Sequence, residues 1–282
     1  MFLILKCFTI GPVRLAYGMK CILLLLIFVF RWSDANGQLP FYTDDAETTA
    51  KGKFHIEFSN EHDWLQKSSL PGKRQNTSTL TVNYGLTDRI ELGVNAPLIK
   101  IFNLRGSQLG SPSGIGDVQV GLKMKLHEER KESWFPAMAV VLYAEAPTGS
   151  TRKQIGSGLP DYWLYGVLQK SFSKRTVGRL NAGILLAGNS STGLIGVSTT
   201  RGQVFTGNGS LVRDFTDKLK LGVEVFGGVT NDFNLSRGQL EAQVGGNYAL
   251  GDNFAFTFGV VGGRFPASPR GGVNVGFTYD FK

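Results

Sequence analysis

Cysteine is almost absent from this chain: there are two in 282 residues, Cys7 and Cys21, both near the start. A disulfide framework and a cysteine-built metal site are therefore excluded from everything that follows them. Histidine is scarce too, with His55, His62 and His127 the only three. They show no His-Glu-x-x-His spacing, so no metal and no cofactor is expected. Charge is modest at 18%, and the net +8 is scattered, without the clustered basic stripe that nucleic-acid binding needs. Long apolar runs are missing as well. Beyond Phe30 the longest is 137–144, far short of the ~20 residues that a membrane-crossing helix requires.

What the chain has instead is glycine and aromatic residues: 37 Gly, 20 Phe and 42% hydrophobic residues, at a mean hydropathy of -0.04. A disordered chain is poorer in apolar residues, and a helical membrane protein far richer. Glycine costs up to ~1 kcal/mol in a helix interior, so the composition favours an all-β chain.

Met19 and Lys20 precede ten apolar residues, Cys21 to Phe30, and Ala35-Asn36-Gly37 follows. A basic start, an apolar stretch of about 7–15 residues and a small-x-small exit describe a secretory signal peptide. Residues 1–37 are expected to be cleaved, with Met19 an alternative true start. Residues 38–52 then form a short periplasmic N-terminal segment, with no plug domain, and 53–282 the folded body.

From Lys53 onward the period is two. Leu219, Leu221, Val223 and Val225 alternate with Lys220, Gly222, Glu224 and Phe226, and Val118, Val120, Leu122 and Met124 with Asp117, Gln119, Gly121 and Lys123. Successive side chains of a strand leave opposite faces, so this is the strand signature. Twelve candidate strands result: 53–65, 75–86, 89–99, 114–127, 133–147, 159–171, 177–188, 203–215, 218–229, 238–250, 253–264 and 271–281. Short turns alternate strictly with longer polar segments, and the strands run 11 residues or more. Soluble strands average ~5–6 residues, whereas a tilted membrane-crossing strand needs ~9–11. Aromatics gather at both ends: Trp134, Phe135, Phe172, Phe215, Phe254 and Phe281 near the short turns, Trp64, Tyr162, Trp163, Phe205 and Phe265 near the long loops. Together these features predict a transmembrane antiparallel β-barrel of about 12 strands in the bacterial outer membrane, with short periplasmic turns and longer external loops.

The polar comb then faces a lumen. Glu57, Glu91, Asp117, Gln119, Lys123, Glu145, Asp161, Arg179, Lys220, Glu224, Glu241 and Gln243 are the candidate pore-lining or binding residues. Acids and bases are mixed, which reads either as a wall-stiffening network of ion pairs or as a pore without strong ionic selectivity. Glycines such as Gly93, Gly121, Gly222 and Gly245 fall on the same face, where they are expected to widen the lumen. No catalytic constellation is found, and the expectation is that the chain is not an enzyme.

Four short segments carry a family resemblance: Thr43-Asp44-Asp45-Ala46, Gly116-Asp117-Val118-Gln119-Val120-Gly121-Leu122-Lys123, Glu145-Ala146-Pro147-Thr148-Gly149, and Gly156-Ser157-Gly158 followed by Asp161-Tyr162. Through them the chain resembles the bacterial outer-membrane transporter family named for the meta-pathway of phenol degradation. The resemblance implies a porin-like barrel that passes aromatic or other hydrophobic compounds. The expected function is passive uptake of small solutes, with the loop at 148–161 shaping the outer mouth. The alternative is a structural or adhesive barrel with a closed lumen, or, as a further rival, a lipid hydrolase dependent on His55. Expected partners are a small-molecule solute, outer-membrane lipid and lipopolysaccharide, and the barrel-assembly machinery.

Overall fold

The computed structural model describes residues 40–67, 73–102, 110–130, 133–187, 202–229, 239–265 and 268–281. The expected signal peptide lies outside them. The strands are β1 (Phe54–Leu65), β2 (Arg74–Thr87), β3 (Ile90–Phe102), β4 (Ser113–Ile115), β5 (Val118–His127), β6 (Ala137–Ala146), β7 (Asp161–Ser173), β8 (Thr176–Ala187), β9 (Gly202–Asp214), β10 (Leu219–Val229), β11 (Gln239–Ala249), β12 (Phe254–Gly263) and β13 (Pro269–Asp280). Each long strand pairs antiparallel with its neighbour in sequence. β13 returns to β1, in register from His55↔Asp280 to Trp64↔Gly271, and closes a twelve-stranded barrel. Closure leaves no barrel strand with an unpaired edge. The remaining element, β4, is a three-residue strand paired with the far end of β3.

All twelve expected strands are present, with bounds moved by up to four residues, and the two largest changes have a visible cause. The stretch expected at 114–127 breaks at Gly116 and Asp117, because Gly116 turns its N–H to Pro97 O at 2.8 Å and Asp117 turns its carboxylate to a neighbouring loop. β6 begins only at Ala137, after Pro136, which has no N–H to give a ladder. Short and long connections alternate as expected, each short-turn connection being shorter than both of its neighbours, although 128–136, at the short-turn end, is longer than 264–268 at the other.

The period of two sorts the faces as expected. Val223 is 50% exposed and its neighbour Glu224 is 1% exposed. Leu92, Leu122, Leu142, Leu164, Leu180 and Leu211 are likewise exposed and form the outward apolar comb. A lysine or arginine at that depth on this face would cost roughly 2–4 kcal/mol. Among the described residues no helix is long and apolar enough to cross a membrane, and the strands provide the apolar belt. Two inner stretches break the pattern. Ala137, Ala139 and Val141 of β6 face inward and pack with Val167 on the fully buried Ala46. Trp163, expected in the long-loop belt, also points inward and packs on Leu185 and Val204.

Candidate functional site in the lumen

The sequence reading puts 38–52 outside the barrel; the structure puts residues 40–49 inside it. This strap has no side-chain period of its own, and its backbone groups need partners that the bare lumen does not supply. Polar side chains of the wall supply them. Gln243 Nε2 donates to Pro40 O at 2.6 Å, and the Glu224 carboxylate accepts from the N–H of Tyr42 at 3.1 Å and from that of Thr43. Glu91 accepts from both the N–H and the hydroxyl of Thr49, at 2.6 and 2.7 Å. Inward glycines therefore do not widen the lumen at these heights: Phe41 sits against Gly222 and Pro40 against Gly245, where a Cβ would collide.

The strap's acids take up the wall's bases. Lys123 is 5% exposed and its Nζ lies 2.8 Å from Asp44 and 3.0 Å from Asp45, while Arg179 lies 3.7 Å from Asp45. Burial pushes the Asp45 carboxyl up, but the Lys123 and Arg179 charges outweigh it and hold its pKa at about 2, against an ordinary 3.8. Lys125 pairs with Glu47 at 2.7 Å, and Lys220 with Asp214 at 3.9 Å. The mixed field read from sequence is thus sorted in space, because four bases of the wall are matched by acids of the strap and of β9.

Toward the long-loop end, the loop at 147–160 is fastened across the wall. Asp117 accepts from the N–H groups of Gly149 and Ser157, both at 2.7 Å, and Thr148 accepts from Val118 N at 3.0 Å while donating to Gly116 O at 2.8 Å. Ile155, 2% exposed, packs on Ile99 and Ile101 beneath. Three of the four resemblance motifs meet here. The fourth, Thr43-Asp44-Asp45-Ala46, is the charged centre of the strap.

Between strap and loop lies a chamber of about 550 Å³. Of the sequence-predicted site residues, Glu57, Glu91, Asp117, Gln119, Glu145, Asp161 and Glu241 line it. Glu145 accepts from Gln119 at 2.7 Å. Lys123, Glu224 and Gln243 lie under the strap, at 5%, 1% and 1% exposure. Arg179 reaches Asp45, and Lys220 sits at the short-turn end with Asp214. His55 is outside the chamber, in the seam, 2.7 Å from Asp280 and 3.9 Å from Glu57, where it ties β1 to β13.

Sequence reasoning missed Tyr42, Glu61, Asp63, Tyr143, Tyr165 and Phe226, which also line the chamber. Parity held the signal for most of them. An inward Glu145 puts Tyr143 inward, an inward Asp161 does the same for Trp163 and Tyr165, and an inward Glu57 does so for Glu61 and Asp63. Tyr42 had no such signal, since its place depends on the strap.

The fold matches solved outer-membrane barrels. An outer membrane channel from Pseudomonas putida F1 superposes with a TM-score of 0.67 at 15% identity, covering 86% of this chain and 100% of that one. The NanC porin gives 0.55 at 10% identity, covering 81% of this chain and 100% of that one. The KdgM porin, in complex with disordered oligogalacturonate, gives 0.51 at 12% identity over 81% and 99%. No curated protein matches the sequence. The family described as "Putative MetA-pathway of phenol degradation" matches residues 75–281, and the chain belongs to it.

Proposed function

We propose that this protein is a passive outer-membrane channel for small solutes. It is exported after loss of residues 1–37, folded by the barrel-assembly machinery and seated against lipopolysaccharide. The observation that carries the reading is the chamber of about 550 Å³ inside a closed twelve-stranded wall. Twelve strands enclose more space than a side-chain-filled eight-stranded barrel and less than a sixteen-stranded porin. Porins and channels among the structures of similar fold support it, as does membership of a family named for aromatic breakdown. The aromatic rings in the chamber suit aromatic or amphipathic solutes.

The strap favours a second reading, a closed structural barrel, because it occupies the middle of the lumen. Planar-bilayer recording separates the two. Purified, heat-modifiable protein is expected to give small discrete steps, and a variant lacking residues 40–49 larger ones. Silence from both variants would refute the channel.

A further inference from the structure

We propose that the chamber between the strap and the 147–160 loop is a binding site for organic ammonium cations. The inference deepens the channel reading by naming its solute class, and it rests on that reading for how the cation moves on.

The first ground is sign. Nine of the described residues lining the chamber are Asp or Glu, and none is Lys, Arg or His. Asp44 is matched by Lys123, and Glu57 lies 3.9 Å from His55. Glu61, Asp63, Glu91, Asp117, Glu145 and Glu241 make no ion pair among the described residues. A concave wall of one sign, surrounded by low-dielectric strands, focuses its potential on the enclosed volume. Anions are repelled, and cations are drawn in.

The second ground is how the charge is distributed. Among the described residues no group of three or more Asp, Glu, His or Cys side chains is placed to hold a metal ion. The negative charge is spread over a wall wide enough for a molecule, since ligand sites run to about 300–1,000 Å³. The third ground is the aromatic lining. Tyr143 and Tyr165 stack with ring centroids 6.4 Å apart, and Tyr42 meets Phe226 at 4.6 Å. The Tyr42 hydroxyl donates to Glu61 at 2.6 Å and that of Tyr165 to Asp44 at 3.2 Å, which fixes both rings. Aromatic faces attract a weakly hydrated ammonium through the ring quadrupole.

The test uses the full mature protein, folded in detergent and checked for heat-modifiable mobility. Choline and its uncharged isostere 3,3-dimethyl-1-butanol are titrated by calorimetry. The site is expected to take choline at least about tenfold more tightly than the isostere. Asp63→Asn with Glu241→Gln is expected to weaken choline by about fivefold or more, and Phe226→Leu, which leaves every charge in place, by about threefold. Equal binding of the two probes, no choline binding at all, or full affinity in both variants would overturn the site. Planar-bilayer recording on the same preparation keeps the two readings apart. Conductance without choline binding overturns the cation site and leaves the channel standing. Choline binding with silence from both the full protein and the strap-deleted form supports the site and overturns the channel.

Discussion

Replacing Lys123 by Met should release the strap without unfolding the barrel. Lys123 is 5% exposed, and its ammonium sits 2.8 and 3.0 Å from two carboxylates, Asp44 and Asp45. Removing one partner of a buried ion pair leaves uncompensated charge and costs about 3–5 kcal/mol. At 1.4 kcal/mol per factor of ten, that raises the undocked population by about a hundredfold to a few thousandfold. The wall keeps its ladder hydrogen bonds, so the loss falls on the strap. The assay exploits a property of the sequence: without residues 1–37 the chain has no cysteine, so Thr43→Cys adds a single thiol. Thr43 is 2% exposed, and the two side chains are close in size. Labelling of that thiol in folded protein should be slow, and Lys123→Met should speed it at least about a hundredfold. Adding Asp44→Asn and Asp45→Asn should reverse most of the gain. An acceleration below about fivefold, with heat-modifiable mobility retained, would refute the view that these charges hold the strap.

Three further outcomes are expected. Asp117→Ala removes the acceptor for Gly149 N and Ser157 N, at about 1.5–3 kcal/mol per charged hydrogen bond; trypsin should then cut faster at the exposed Arg152 and Lys153, and unchanged digestion would count against the fastening. Gly85→Ala should shift the strap, because the new Cβ meets the backbone of Thr49 and Ala50, which cannot rotate away; faster labelling at Thr43→Cys reports it, and wild-type protection would exclude a close crossing. Asp45 is a carboxyl depressed from 3.8 to about 2, so its stabilising effect is complete above the ordinary value and is lost as pH falls toward 2. Single-channel steps should therefore grow between about pH 4 and pH 2, with Asp45→Asn giving the enlarged steps already at neutral pH; a flat profile would argue that Asp45 is not part of the latch.

The wall was legible in the sequence because a strand repeats every two residues and lipid punishes errors of face. Pairs such as Val223 and Glu224 announce both surfaces at once. The strap was not legible, since residues 40–49 follow no period and Thr43 meets Glu224, 181 residues away. Its effects were visible without their cause. The uninterrupted apolar run at 137–144 defeats alternation because Ala46 covers its inner side. Lys123 and Arg179 looked like pore charges because Asp44 and Asp45 lay outside the expected barrel, so the lumen read as mixed where the chamber is acidic.

A cylinder of strands resists stretching along its ladders but flattens easily, because each strand is held only by its two neighbours. The strap reaches β1 through Tyr42, β3 through Thr49, β5 and β8 through Asp45, β10 through Thr43 and β11 through Pro40. Opposite sides of the cross-section are therefore joined through the middle, as by a tie-rod. The same ten residues that narrow the bore also keep it round.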